Sequence, residues 1–93
     1  MHTAEILRSF MLLPAPSGYE KEVAYQLRAA FSRCCDQVTI DPAGNVMACF
    51  PGKDPAIPVV MVYAHMDQLG FVVRFIEPTG YLRLERLGGI PEK

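Results

Sequence analysis

Apolar residues at the start of the chain recur at the spacing of an α-helix. Ile6, Phe10 and Leu13 lie three or four positions apart, which predicts a short amphipathic helix over residues 3–13. Pro14 should end this helix, because proline lacks a backbone N–H and disfavours helical geometry in the residue before it.

A second helical pattern follows. Ser17 and Glu20 have the spacing of a capping box, in which each side chain satisfies the other residue's free backbone N–H, so we expect a helix to begin there. An apolar stripe comes next and should pack against another element. The stripe consists of Val23, Leu27, Ala30, Phe31 and Cys34.

The pattern then changes to the alternation of apolar and polar residues that is typical of strands. Residues 38–40 and 46–50 alternate in this way, which predicts two strands joined by a tight turn. Gly44 should supply a positive φ in that turn, and the side chains of Asp41 and Asn45 should hydrogen-bond its backbone.

Residues 57–64 are apolar throughout, which is typical of a strand that is covered on both faces at the centre of a sheet. Residues 71–76 and 81–87 predict one more hairpin, with a turn between them. A strand buried on two faces needs layers on both sides, so the whole pattern favours an α/β fold.

The composition fits one small globular domain. The 93 residues are 51% hydrophobic and 20% charged, and a formal net charge of −1 offers no basic surface for nucleic acid or an anionic membrane. The N-terminus lacks the pattern of a signal peptide, and no apolar run approaches the roughly 18 residues of a membrane span. We therefore expect a soluble, cytoplasmic protein.

The cysteines do not indicate a disulfide framework. Their number, three, is odd, and Cys34 and Cys35 are neighbours that cannot easily bond to each other. A structural zinc site is not expected either, because there is no C-x-x-C pair or Cys/His cluster. We expect reduced thiols, with Cys34 buried in a helix and Cys49 in a strand.

The triplet His65-Met66-Asp67 carries the candidate chemistry. It directly follows the predicted central strand, and the binding sites of open α/β sheets form at the carboxyl ends of such strands. A neutral imidazole is a good ligand for zinc or cobalt, and a nearby carboxylate can accept the ring's other N–H. Alternatively, His65 is only a hydrogen-bonded histidine at a strand end, and Asp67 caps the following turn.

Four motifs occur in the same order and at the same intervals in a known enzyme family. They are Ser17-Gly18-Tyr19-Glu20, Asp41-x-x-Gly44-Asn45, Ala64-His65-Met66-Asp67-x-x-Gly70-Phe71 and Leu87-Gly88-Gly89. Through them nearly the whole chain resembles the tetrahedral and deblocking aminopeptidases, which are di-metal exopeptidases of the glutamyl type. Related di-zinc exopeptidases and deacylases also use an H-x-D triplet after a central strand.

The resemblance implies a fold and a division into domains. Residues 1–68 would form the N-terminal part of a zinc-exopeptidase-like α/β/α sandwich, which is the catalytic domain. Residues 69–93 would begin an inserted, β-rich dimerisation domain. The apolar residues of the last hairpin would then pack on strands outside this sequence, and the hairpin edge would be exposed.

The resemblance also implies a metalloprotease that hydrolyses N-terminal residues from peptides with two divalent metal ions, zinc or cobalt, and that forms homo-oligomers. His65 would ligate one metal, and Asp67 would serve catalysis by supporting that ligand. The other ligands and a general-base glutamate would follow Lys93, so the isolated chain should be inactive and bind metal weakly or not at all. Gln68 stands where the family usually has Glu, which leaves the role of a negative charge there open.

Two other functions remain open. The chain could be a non-catalytic binding or assembly module that keeps part of the fold and associates through its apolar hairpin. It could also derive from an enzyme of the same family that acts on another amide or on acylated peptides.

Overall fold

The computed structural model describes residues 2–92, which form two helices and two separate antiparallel sheets of two strands each. This is a small mixed α/β arrangement, and within the described part of the chain no strand joins the two sheets. The α/β/α sandwich and the dimerisation domain stay predictions. The elements in chain order are α1 (Thr3–Met11), α2 (Lys21–Phe31), β1 (Gln37–Ile40), β2 (Val46–Cys49), β3 (Gly70–Ile76) and β4 (Leu82–Leu87).

Helix α1 confirms the predicted amphipathic helix and ends slightly earlier than expected. At its start the backbone N–H of His2 donates to Glu5 Oε2 at 3.0 Å, and at its end the N–H of Leu12 donates to the Arg8 carbonyl at 3.1 Å. The helix buries none of its residues, and its Leu7 is 58% exposed. Neither helix in residues 2–92 has the length and apolar content needed to cross a lipid bilayer.

Helix α2 begins at Lys21, so the prediction that Ser17 opens it with a capping box is wrong. The residues before the helix form a turn in which Gly18 takes a φ of 87°. A positive φ lies outside the right-handed helical region, so the helix cannot include Gly18. The Glu20 carboxylate accepts the backbone N–H of Gly18 at 2.7 Å, where the capping box required that of Ser17.

The core lies where α2 packs on the hairpin of β1 and β2. Val23 of the predicted stripe is 3% exposed and its neighbour Ala24 is 4% exposed, while Ala15 in the loop before α2 is fully buried. Cys34 is exposed because α2 ends before it, so its expected burial is wrong. Cys49 lies in β2 as predicted, and all three thiols are free.

The predicted turn between β1 and β2 is confirmed in detail. The two strands pair antiparallel along their whole length, and Gly44 between them has a φ of 92°. The Asp41 carboxylate accepts the backbone N–H of Asn45 and its side-chain amide, each at 2.8 Å. These hydrogen bonds, the side-chain one first, lower the pKa of Asp41 from its ordinary value.

The prediction of a buried central strand over residues 57–64 is wrong for this chain. None of these residues belongs to a sheet, and Val59 and Val62 are 95% and 93% exposed. A strand at the centre of a sheet needs a hydrogen-bonded neighbour along each edge. No segment within residues 2–92 provides one, so the apolar pattern stays uncovered.

Strands β3 and β4 form the predicted last hairpin. They pair antiparallel around a turn in which Gly80 has a φ of 92°, and the register shifts between Val73 and Phe75, as at a β-bulge. The hairpin is open to solvent on both faces, with Phe75 54% and Leu84 50% exposed. Within residues 2–92 no further strand pairs with this hairpin, and the expectation that its apolar residues pack on strands outside this sequence stays a prediction.

Candidate functional site

The segment that carries the His65–Asp67 pair is held against the loop between the two helices. The backbone N–H of Gln68 donates to the Ala15 carbonyl at 2.7 Å, and Gln68 forms a parallel bridge with Pro16. Two positions further on, a Cβ added to Gly70 would lie only 3.0 Å from the Cβ of Pro16. The two segments therefore meet closely, and a Cβ at position 70 would require Pro16 to shift by a few tenths of an ångström.

His65 and Asp67 form a direct hydrogen bond. His65 Nδ1 lies 2.9 Å from Asp67 Oδ1 and 3.1 Å from the backbone carbonyl oxygen of the same residue. Both neighbours of Nδ1 are acceptors, so the proton of a neutral ring is favoured on Nδ1. The lone pair of Nε2 is then free on an imidazole whose side chain is 85% exposed, whereas the Asp67 side chain is 34% exposed.

This arrangement fits one metal ligand together with its support. A carboxylate behind an imidazole fixes the ring orientation and raises the basicity of the free nitrogen. A catalytic zinc ion normally has three protein ligands. No group of three or more His, Cys, Asp or Glu side chains suited to a metal ion occurs among residues 2–92.

Two other titratable residues, His2 and Asp54, have local contacts near their own positions in the chain. His2 precedes α1, where its backbone N–H contacts Glu5. Asp54 accepts the backbone N–H of Ala56 at 2.9 Å, which closes a turn. None of these contacts brings a further imidazole or carboxylate to the His65–Asp67 pair.

Sequence reasoning missed the contact that ties this segment to α1. The side-chain amide of Gln68 donates to the backbone carbonyl of Met11 at 3.2 Å. The two residues are 57 positions apart in the chain, so no local pattern signals their contact. The sequence singled out Gln68 only because it stands where the resembling family usually has Glu.

Residues 44–93 match the family profile of the M42 glutamyl aminopeptidases. The matched stretch is more than half of the chain and includes the His65–Asp67 pair. The chain belongs to this family. Membership of the M42 family agrees with the four motifs that the sequence shares with tetrahedral and deblocking aminopeptidases.

Individual relatives of this M42 chain also carry aminopeptidase names. It is 44% identical over 85 residues to "Putative aminopeptidase SgcX" of Escherichia coli (strain K12), and this alignment covers 91% of the chain and 23% of the relative. It is 39% identical over 87 residues to lysyl aminopeptidase of Pyrococcus furiosus, an alignment that covers 92% of the chain and 24% of the relative. It is 32% identical over 89 residues to glutamyl aminopeptidase of Lactococcus lactis, an alignment that covers 96% of the chain and 25% of the relative. The chain thus spans about a quarter of the length of these relatives.

Proposed function

We propose that this chain is the N-terminal segment of an M42 metallo-aminopeptidase, which hydrolyses N-terminal residues from peptides, and that His65 is one of its metal ligands. The observation that carries the proposal is the 2.9 Å contact between His65 Nδ1 and Asp67 Oδ1, which leaves Nε2 free on an exposed ring. Family membership supplies the class of reaction, and this pair supplies the place in the chain where a metal ion would bind.

The two residues have different tasks in this proposal. His65 binds through Nε2, and Asp67 holds the ring and keeps the proton on Nδ1. A pair of zinc or cobalt ions, when bound, supplies an acidified water and stabilises charge on the scissile carbonyl. The ring projects into solvent, so ligands from other parts of the protein can approach it.

The rest of the site belongs to the remainder of the protein in this proposal. The relatives are about four times as long as the part that this chain matches, which leaves ample sequence for further histidine and carboxylate ligands. The proposal also includes a cytoplasmic, homo-oligomeric parent enzyme, as the resemblance to tetrahedral aminopeptidases implies.

The first test uses the full-length protein with a series of amino-acid p-nitroanilides, including those of lysine, glutamate and leucine. His65→Ala should lower kcat/KM by at least about 100-fold, and Asp67→Asn by about 10- to 100-fold, because losing the support of a ligand costs that much. His2→Ala, which changes the only other histidine of this sequence, should have no effect. Wild-type activity and zinc affinity in His65→Ala would contradict the proposal.

The second test uses the 93-residue chain alone. With one ligand and its support, it should release no p-nitroaniline in the presence of zinc or cobalt, and isothermal titration should detect only weak metal binding. Metal-dependent cleavage by the purified chain would show that these residues suffice for the reaction, contrary to the proposal.

A second candidate function, a non-catalytic assembly module, is favoured by one observation. Residues 57–64 and the hairpin of β3 and β4 leave large apolar side chains open to solvent, and such surfaces mark association sites. Light scattering of the 93-residue chain distinguishes the two functions. A defined oligomer would support the module, whereas a stable monomer would remove its main support.

A further inference from the structure

The side chain of Gln68 connects the site segment to the end of helix α1. Its Nε2 donates to the backbone carbonyl of Met11 at 3.2 Å, and Met11 is the last residue of α1. The last carbonyl groups of a helix have no partner within the helix. The amide therefore satisfies an acceptor that would otherwise depend on water.

The backbone of Gln68 is fixed at a second point. Its N–H donates to the carbonyl of Ala15, which is fully buried, and it bridges to Pro16. Gln68 thus contacts the end of α1 through its side chain and the following loop through its backbone. Asp67 is the next residue in the chain, so these contacts constrain the carboxylate that holds the His65 ring.

We propose that Gln68 is a positioning residue, whose amide fixes the His65–Asp67 pair relative to the end of helix α1. This inference rests on the proposed function of His65 as a metal ligand. It also rests on the amide being a donor, because the Met11 carbonyl can only accept a hydrogen bond.

Two substitutions of Gln68 distinguish the effect of its hydrogen-bond donor from the effect of its side-chain shape. Gln68→Met keeps a similar length and removes the donor. Gln68→Glu keeps the shape but cannot donate when ionised, and it places a negative charge at the negative end of the α1 dipole. Gln68→Glu should therefore disturb the segment at least as much as Gln68→Met. Gln26→Met and Gln26→Glu are matched controls, because Gln26 is exposed on α2.

The first measurement needs no metal. In the metal-free full-length protein, the backbone amide of Gln68, which donates to Ala15, should exchange with solvent about 2- to 10-fold faster in both Gln68 variants, as expected from losing the neighbouring side-chain hydrogen bond. The Gln26 variants should exchange like the wild type. Unchanged exchange in Gln68→Met and Gln68→Glu would overturn the proposal.

The second measurement is zinc affinity by isothermal titration of the same proteins. The Gln68 variants should bind zinc about 3- to 10-fold more weakly, a smaller loss than that expected for removing the support of the ligand itself. Faster exchange with unchanged zinc affinity would make the contact structural only and overturn the positioning role. Tighter zinc binding by Gln68→Glu would show that the site needs a negative charge here, which also contradicts the proposal.

The two measurements keep this inference separate from the proposed function. A wild-type protein that binds no zinc would overturn the function of His65 as a ligand. In that case the exchange rates alone would decide whether Gln68 fixes the segment.

Discussion

Residues 15–49 and residues 57–64 both carry the apolar patterns of buried elements, yet they lie in opposite environments. In the first region Val23 is 3% exposed, whereas in the second Val62 is 93% exposed. The first region folds against itself, because α2 packs on the hairpin of β1 and β2. The second has no sheet partner among the described residues. An apolar pattern therefore specifies structure only where its partner is present.

The difference follows from the kind of partner that each pattern requires. A hairpin closes over a short turn at small entropic cost, and the preceding helix is near enough to cover one of its faces. A strand that is apolar on both faces requires neighbours on two edges and layers on two sides. The hairpin of β3 and β4 is an intermediate case, since its strands pair with each other while both faces stay exposed.

The largest expected effect comes from placing a charge in each region of the 93-residue chain. Val23→Asp should lower the free energy of unfolding by about 3 kcal/mol or more, because it buries a carboxylate without a partner. Val62→Asp should change it by less than about 0.5 kcal/mol, because the side chain is already in water. Urea unfolding followed by circular dichroism measures both.

The same two variants should also be compared in the longer enzyme proposed above, where their free energies of unfolding test the position of residues 57–64. If residues 57–64 become an interior strand there, Val62→Asp should become as destabilising as Val23→Asp. Equal tolerance of Val62→Asp in the long and short chains would contradict an interior position for this segment.

A smaller effect on the free energy of unfolding is expected from the turn that joins β1 and β2 in the first region. Gly44→Ala should cost about 1–2 kcal/mol, because its φ of 92° is unfavourable for a residue with a Cβ. Gly52→Ala is the matched control, since Gly52 lies outside the positive-φ range and a Cβ there meets no atom within 4 Å. Equal unfolding midpoints for the two variants would show that the turn geometry does not determine the stability of this hairpin.

The sequence predicted the elements whose determinants are local. Helix α1, both hairpins and the Gly44 turn follow from spacing and turn chemistry within a few residues. The start of α2 was misplaced because the conformation of Gly18 outweighs the Ser17 and Glu20 pattern. The predicted strand over residues 57–64 does not form, because no segment among residues 2–92 pairs with it.

The contacts of the candidate site likewise divide into a local one that the sequence predicted and a distant one that it did not. The contact between His65 and Asp67 joins residues two positions apart, so the triplet alone was enough to expect it. The contact between Gln68 and Met11 depends on how α1 and the site segment are brought together, which no periodicity reveals. The metal-ligand role of His65 and the supporting role of Asp67 stay predictions until the variants above are measured.

The smallest expected effect is a pH dependence that belongs to the first region alone. The hydrogen bonds from Asn45 lower the pKa of Asp41 in the folded chain below the ordinary 3.8. Asp41 therefore contributes stability that is fully present above the unfolded pKa and is lost as the pH falls through the folded pKa. Asp41→Asn should be less stable than the wild type at neutral pH, and the difference in the free energy of unfolding should shrink as the pH falls below the ordinary pKa of aspartate.

Urea unfolding at several pH values measures this difference, with Asp36→Asn as the control because Asp36 is exposed. A difference that stayed constant down to strongly acidic pH would show that the ionised carboxylate of Asp41 does not stabilise the turn.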